Sequence, residues 1–248
     1  MSRESENVEN IKNVENASKK NTVIYIPITQ DRVNEFKNQI FPLNSDILFV
    51  FDIEDTLYRI DKEITDLKLK IIREMAQHFK ISENEMIKRT AKYTKEYGSP
   101  MRGFYDHFKI EPDVLEKTKD VFVDLSHKID FDIDLIQFLK NLPGRKICLT
   151  NSNLKHSSHI FKLKRFDEVF EALIHCDYGD LKYLCKPKEE VFKFVEDIFQ
   201  VKNTSKIMFY DDLDENIKAA KDRGWNAFKV DLTTNTIQEI VKNSIKTI

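Results

Sequence analysis

The stretch Ile47-Leu48-Phe49-Val50-Phe51-Asp52-Ile53-Glu54-Asp55-Thr56 constrains this chain more than any other. Five apolar residues in a row, without polar alternation, read as a short strand buried on both faces, and the acids begin where it stops. Such a strand belongs inside a parallel sheet covered by helices. At the carboxyl edge of an open parallel sheet the backbone turns outward and ligands bind in the crevice, which is where Asp52 is expected to point.

The text beyond Asp132 repeats the pattern. Lys146–Thr150, Ala172–Cys176, Ile207–Tyr210 and Ala227–Val230 are short apolar runs, and helical signals separate them. Leu135, Phe138 and Leu139 predict a helix stopped by Pro143-Gly144, and Ile160 to Phe170 predicts another. Pro187 suits the first position of a helix carrying Val191, Phe192, Val195 and Ile198, and Gly224 closes one over Asn216 to Arg223. Strand–helix alternation requires right-handed crossovers, so the fold class is α/β with a Rossmann-like parallel-sheet core.

A region without a convincing strand interrupts that core after the Asp52 turn. Ile64, Leu67, Ile71, Met75 and Phe79 keep helical spacing, and Ser82 with Glu85 forms a capping-box signature. The helix that follows is expected to end at Tyr97-Gly98-Ser99-Pro100, and Pro112-Asp113 opens a third helical stretch. The expected organisation is a disordered tail over 1–22, an N-terminal extension over 23–45, a core of 46–60 and 131–231, a small helical cap over 61–130, and a C-terminal helix or tail over 232–248. In the extension, Val23 to Ile26 predicts a strand made an edge by Pro27, and Asp31 to Ile40 a short helix.

Composition narrows the partners. Lys and Arg number 40 against 42 Asp and Glu, so no single-signed field favours a nucleic acid polymer or a membrane surface. The three cysteines, Cys148, Cys176 and Cys185, lack a paired C-x-x-C spacing, which points to reduced thiols rather than a zinc site. No apolar run reaches the roughly 18 residues of a membrane span. The expected location is the cytoplasm or nucleus.

The strand ends carry the chemistry. Asp52 and Glu54 close the first core strand, Thr150-Asn151-Ser152 the second and Asp211-Asp212 the fourth, while Lys186 precedes a helix. Carboxylates, a hydroxyl and a lysine converging on one sheet edge are the parts of phosphoryl transfer assisted by Mg²⁺.

In that order and spacing the chain resembles phosphatases of the haloacid dehalogenase superfamily. Their motifs are an apolar strand ending D-x-D-x-T, a strand ending in Thr or Ser, a lone Lys and an acidic pair after a later strand. The segments FDIEDTLY, KEYGSPMRG, LTNSNLKH, HCDY, CKP and FYDDLDENI are similar to the fungal pyrimidine 5'-nucleotidase branch. The resemblance implies that Asp52 is the nucleophile forming an aspartyl-phosphate and that Thr150 and Lys186 hold the phosphoryl group. It implies Mg²⁺ on the Asp52 carboxylate, the Glu54 backbone carbonyl and the Asp212 carboxylate, with Asp211 orienting a bound water. Substrate contacts are expected from Asn151, Tyr97, Arg102 and Gly103 besides Thr150 and Lys186, and His156 is a candidate for the site's mouth.

Glu54 departs from the family, which places Asp there as general acid and base. The extra methylene either misplaces the carboxyl and slows both half-reactions, or is taken up by a small shift of the turn; where protonation limits, Glu54→Asp raises turnover of nucleotides more than of p-nitrophenyl phosphate, whose leaving group needs no proton. The implied ligand is a small phosphomonoester, pyrimidine nucleoside monophosphates first. Another monoester such as lysophosphatidate, or a weakly active binding protein, are the alternatives. The sequence names no protein partner for the N-terminal extension.

Overall fold

Six strands lie in one all-parallel sheet in the order β1-β4-β3-β2-β5-β6 in the computed structural model, which describes residues 23–40, 42–43, 47–60, 62–109, 131–180 and 184–246. They are β1 (Ile24–Pro27), β2 (Leu48–Phe51), β3 (Arg145–Asn153), β4 (Ala172–Cys176), β5 (Ile207–Asp211) and β6 (Asn226–Lys229). The expected tail over 1–22 and the third helical stretch at Pro112-Asp113 lie outside the described residues.

The helices, in chain order, are α1 (Val33–Lys37), α2 (Lys62–His78), α3 (Glu83–Tyr97), α4 (Pro100–Phe108), α5 (Ile133–Asn141), α6 (Leu154–Leu163), α7 (Glu189–Ile198), α8 (Asp214–Asp222) and α9 (Ile237–Ile245). Because side chains alternate along a strand, β2 sends Leu48 and Val50 to one face and Phe49 and Phe51 to the other. The first face packs on Phe36 of α1 and on Val191, Phe194 and Val195 of α7, and its apolar cluster continues into Met75, Met86 and Phe104 of the helical insertion. The second packs on Leu135 and Leu139 of α5, Ile160 and Phe161 of α6 and Val241 of α9. Phe51 stacks on Tyr210 at 4.9 Å between ring centroids, and Phe192, Phe209 and Trp225 meet edge to face. Each such ring, fully buried, contributes about 1.5–3 kcal/mol.

The strand expected in the extension forms: β1 pairs in parallel with β4 through Ile24↔Ala172 to Pro27↔His175, at the edge that Pro27 predicts. Three details differ from the sequence expectations. The helix expected over Ile160 to Phe170 begins earlier, at Leu154, and stops at Leu163 because Arg165 takes a left-handed backbone conformation (φ 56°). Pro187 does not start a helix: it follows a cis peptide bond from Lys186, and α7 begins at Glu189. Ser99-Pro100 opens a further helix, α4, with Pro at its first position. Ser82 caps α3 as expected, its Oγ accepting from the Glu85 N–H, while the Glu85 side chain turns to Arg89.

Candidate active site

Register brings the reactive residues together. Phe51 of β2 pairs with Cys148 of β3 on one side and Tyr210 of β5 on the other. The residues that follow each, Asp52, Leu149-Thr150 and Asp211-Asp212, therefore leave the sheet at the same edge. The Asp52 N–H donates to the Tyr210 carbonyl at 2.9 Å, extending the ladder one step and fixing where the carboxylate starts.

Lys186 is the hub. Its ammonium, only 1% exposed, donates to Asp52 Oδ1 at 2.7 Å, Asp211 Oδ2 at 2.6 Å and the Leu149 carbonyl at 2.7 Å, so all three of its protons are used. Burial works against the charge, and the Asp211 and Asp52 carboxylates overcome it, raising the lysine above its ordinary range. Burial likewise pushes the Asp52 carboxyl well up, with Lys186 pulling it back. Asp211 has no exposed surface, and its other oxygen accepts from the Leu213 N–H and the Asn216 amide, both at 2.9 Å. Both oxygens of Asp211 are thus engaged by protein donors, which makes it the anchor of the lysine.

Asp212 stands differently. Burial and the neighbouring Asp211 push its carboxyl up to about 7, and it borders a pocket of about 220 Å³ lined also by Asp55, Arg59, Lys229 and Asp231. Among the described residues no three His, Cys, Asp or Glu side chains form a closed metal cage. The available donors, the Asp52 and Asp212 carboxylates and the Glu54 carbonyl, are all oxygens, and Asp212 borders the open pocket. That set fits Mg²⁺, which keeps several of its waters and takes one or two carboxylates.

β3 bulges as it reaches the site. Leu149 pairs with Ile174 and Asn153 with Cys176, so four steps along β3 match two along β4. Such bulges re-aim side chains at functional edges. Thr150 and Ser152 face Glu54: Thr150 Oγ1 donates to Glu54 Oε2 at 3.1 Å and Ser152 Oγ to Oε1 at 2.6 Å, while His156 Nε2 lies 3.0 Å from Oε1. His156 is held in the first turn of α6, where its N–H bonds the capping Asn153 side chain. Sequence reading singled out neither Ser152 nor the Glu54 contact of His156, although Ser152 shares Thr150's side of an extended strand.

Asn151 faces the other way. Its Nδ2 donates to the Gly98 carbonyl at 2.8 Å and the Lys186 carbonyl at 2.9 Å, and its Oδ1 accepts from the Lys186 N–H at 2.8 Å. Gly98, at φ 71°, rests directly on the Lys186 carbonyl, and Cys185 Sγ contacts the Tyr97 carbonyl at 2.9 Å. Asn151 therefore clasps the end of α3 to the loop that carries the lysine.

The remaining candidates on the insertion lie in its own packing. The Tyr97 hydroxyl is 3.2 Å from His107 Nε2, Arg102 donates to Asp106 at 3.0 Å and lies over the Tyr105 ring, and Gly103 leaves room for the Tyr93 ring.

The family model described as haloacid dehalogenase-like hydrolase matches residues 48–224. Among solved structures, a haloacid dehalogenase family enzyme from Bacteroides thetaiotaomicron is similar at TM-score 0.51 and 16% identity, over 75% of this chain and 94% of that one. CbbY from Rhodobacter sphaeroides, solved with phosphate, gives 0.52 and 18% over 73% and 84%. A putative phosphoglycolate phosphatase from Lactobacillus plantarum gives 0.52 and 15% over 75% and 87%. These likenesses share the fold, and the family match spans β2 through α8 with every strand-end motif between them. The chain belongs to the haloacid dehalogenase-like hydrolases.

Proposed function

We propose that this protein is a Mg²⁺-dependent phosphomonoesterase that works through an aspartyl-phosphate on Asp52, with pyrimidine nucleoside monophosphates such as UMP and CMP as its substrates. The observation that carries the reaction class is the buried Lys186 ammonium shared by Asp52 and Asp211 at one sheet edge. A carboxylate nucleophile repels a phosphate dianion, and a fixed cation at 2.7 Å offsets that repulsion before substrate arrives. Mg²⁺, when bound, adds the remaining positive charge and polarises the phosphoryl oxygens.

The chain's own residues supply the rest. Asp52 attacks phosphorus and the ester oxygen leaves, taking a proton from Glu54; Glu54 then removes a proton from water, which attacks the acyl-phosphate and frees Asp52 and phosphate. Thr150 has one hydroxyl proton, which Glu54 accepts here. To hold a phosphoryl oxygen it transfers that donor from Glu54 to the substrate.

Preference for pyrimidine nucleotides rests on the resemblance of the FDIEDTLY, KEYGSPMRG and LTNSNLKH segments to that nucleotidase branch. The helical insertion, whose α3 end is clasped to the site, is the element assigned to close over substrate and exclude water. The test is phosphate release with Mg²⁺ from UMP, CMP, purine nucleotides, lysophosphatidate, sugar phosphates and p-nitrophenyl phosphate, with Asp52→Asn as blank. Release is expected to be greatest from UMP and CMP and to vanish in the blank and with chelator. Release from lysophosphatidate alone overturns the substrate, and release from none overturns the reaction.

A further inference from the structure

We propose that Ser152 and His156 are positioning residues that seat the Glu54 carboxylate, and that this seat lets a glutamate serve where the related enzymes use an aspartate; the inference rests on the phosphatase reading above. The two oxygens of Glu54 have different keepers. Oε1 is held by Ser152 Oγ at 2.6 Å and His156 Nε2 at 3.0 Å, and Oε2 accepts from Thr150 Oγ1 at 3.1 Å. When Thr150 turns to a phosphoryl oxygen, the two contacts on Oε1 still hold the carboxyl in place for proton transfer. Each keeper is itself fixed. Ser152 sits in the β3 bulge and is almost fully buried, as is His156, whose N–H is capped by Asn153 at 3.1 Å.

The seat reverses one expectation drawn from the sequence. Removing a methylene withdraws the carboxyl by about 1.5 Å. Contacts of 2.6 and 3.0 Å then open beyond hydrogen-bonding distance. Glu54→Asp is thus expected to lower turnover of nucleoside monophosphates, not raise it.

A double-mutant cycle tests this. Ser152→Ala and His156→Ala should each lower kcat on UMP about 10-fold and Glu54→Asp about 10²-fold, within the range of acid–base assistance. In the Glu54→Asp background the other two changes should have almost no further effect. His156→Gln, which keeps a donor near the Nε2 position, should restore most of the loss. With p-nitrophenyl phosphate the variants should release a rapid burst of p-nitrophenolate before a slow steady rate, because only the second step needs the base. Multiplicative losses, or slowing without a burst, overturn the seat.

A readout free of turnover separates the two readings. The imidazole ¹⁵N resonances of His156 should shift in Glu54→Gln and stay in place in Asp55→Asn. Unmoved resonances in Glu54→Gln overturn the seat even if phosphate is released. A shift in a protein that releases no phosphate supports the seat and removes the phosphatase reading.

Discussion

Gly98→Ala gives the sharpest test of how the insertion and the lysine are joined. An alanine Cβ at Gly98 falls 1.5 Å from the Lys186 carbonyl oxygen and 2.7 Å from Pro187 Cδ. A comfortable contact needs about 3.5 Å, so roughly 2 Å of backbone movement is forced, and no rotamer change relieves it. Gly98 also has φ 71°, and a left-handed alanine is about 1–2 kcal/mol less favourable. Adding about 1–3 kcal/mol for overpacking gives about 2–5 kcal/mol in all. At about 2–4 °C per kcal/mol for a chain near this size, Tm should fall by about 4–20 °C. Because Lys186 moves with its carbonyl, and about 1 Å of misplacement is worth about 10²-fold, kcat per folded molecule should fall by at least that factor. The comparison is Gly144→Ala, whose Cβ meets the Ile47 carbonyl at 2.4 Å with φ 98°, at the opposite edge of the sheet. Thermal melts and burst-calibrated turnover of p-nitrophenyl phosphate read both. If Gly144→Ala loses as much activity per folded molecule as Gly98→Ala, or if Gly98→Ala keeps full turnover, the coupling argument is refuted.

Lys186→Met leaves Asp52 and Asp211 buried without their cation, so a loss of about 3–5 kcal/mol in urea unfolding is expected. Its turnover should fall at least about 10²–10³-fold, and unchanged stability would show that the two acids find another partner. Asp212 is held near 7 by burial and Asp211, against 3.8 ordinarily, so the folded state binds its proton more tightly than the unfolded chain does. That contribution is full below pH 3.8 and is lost as pH rises through about 7. In chelator, Tm should therefore fall across this window more in the wild type than in Asp212→Asn, and Mg²⁺ should raise Tm more above the window than below it. Parallel curves for the two proteins refute it. Tyr210→Phe removes the buried 2.7 Å contact with Ser244 that ties β5 to α9, and should cost about 1 kcal/mol by urea melt without slowing turnover.

How much of this was legible in the sequence depends on whether local chemistry or a distant partner decides. The apolar run before Asp52 reads correctly because burial on both faces needs nothing but the run itself, and Asp211-Asp212 follow the same logic. Gly98 as a helix end is likewise local, since only its backbone conformation is at stake. The β3 bulge is not local, since two residues more of β3 than of β4 are fitted between paired positions; alternation along TNS puts Thr150 and Ser152 on one side, but not their common partner Glu54, 96 and 98 residues away. Asn151 looks like a ligand-facing amide in sequence and proves to be committed to Gly98 and Lys186, partners 53 and 35 residues away. Pro187 suits a helix start by composition, but the turn that lowers Lys186 onto Asp52 takes it first. Ser99-Pro100 did carry a legible signal for α4, masked by reading the pair only as the end of α3.

The place of β1 has a practical consequence for handling the protein. The family match begins at residue 48, so β1 lies outside the catalytic unit that it borders. Yet β4, buried at all five positions, would be an edge strand without it; the Ile24 N–H bonds the Glu171 carbonyl at the start of β4, and the Ile28 N–H bonds the His175 carbonyl at its end. Trimming the chain to its family boundary would bare a flat apolar edge ready to recruit a second molecule. The extension acts as a stopper: it completes that edge, then presents Pro27, which cannot donate to another strand. A minimal domain cut there would keep every reacting group and be limited by aggregation.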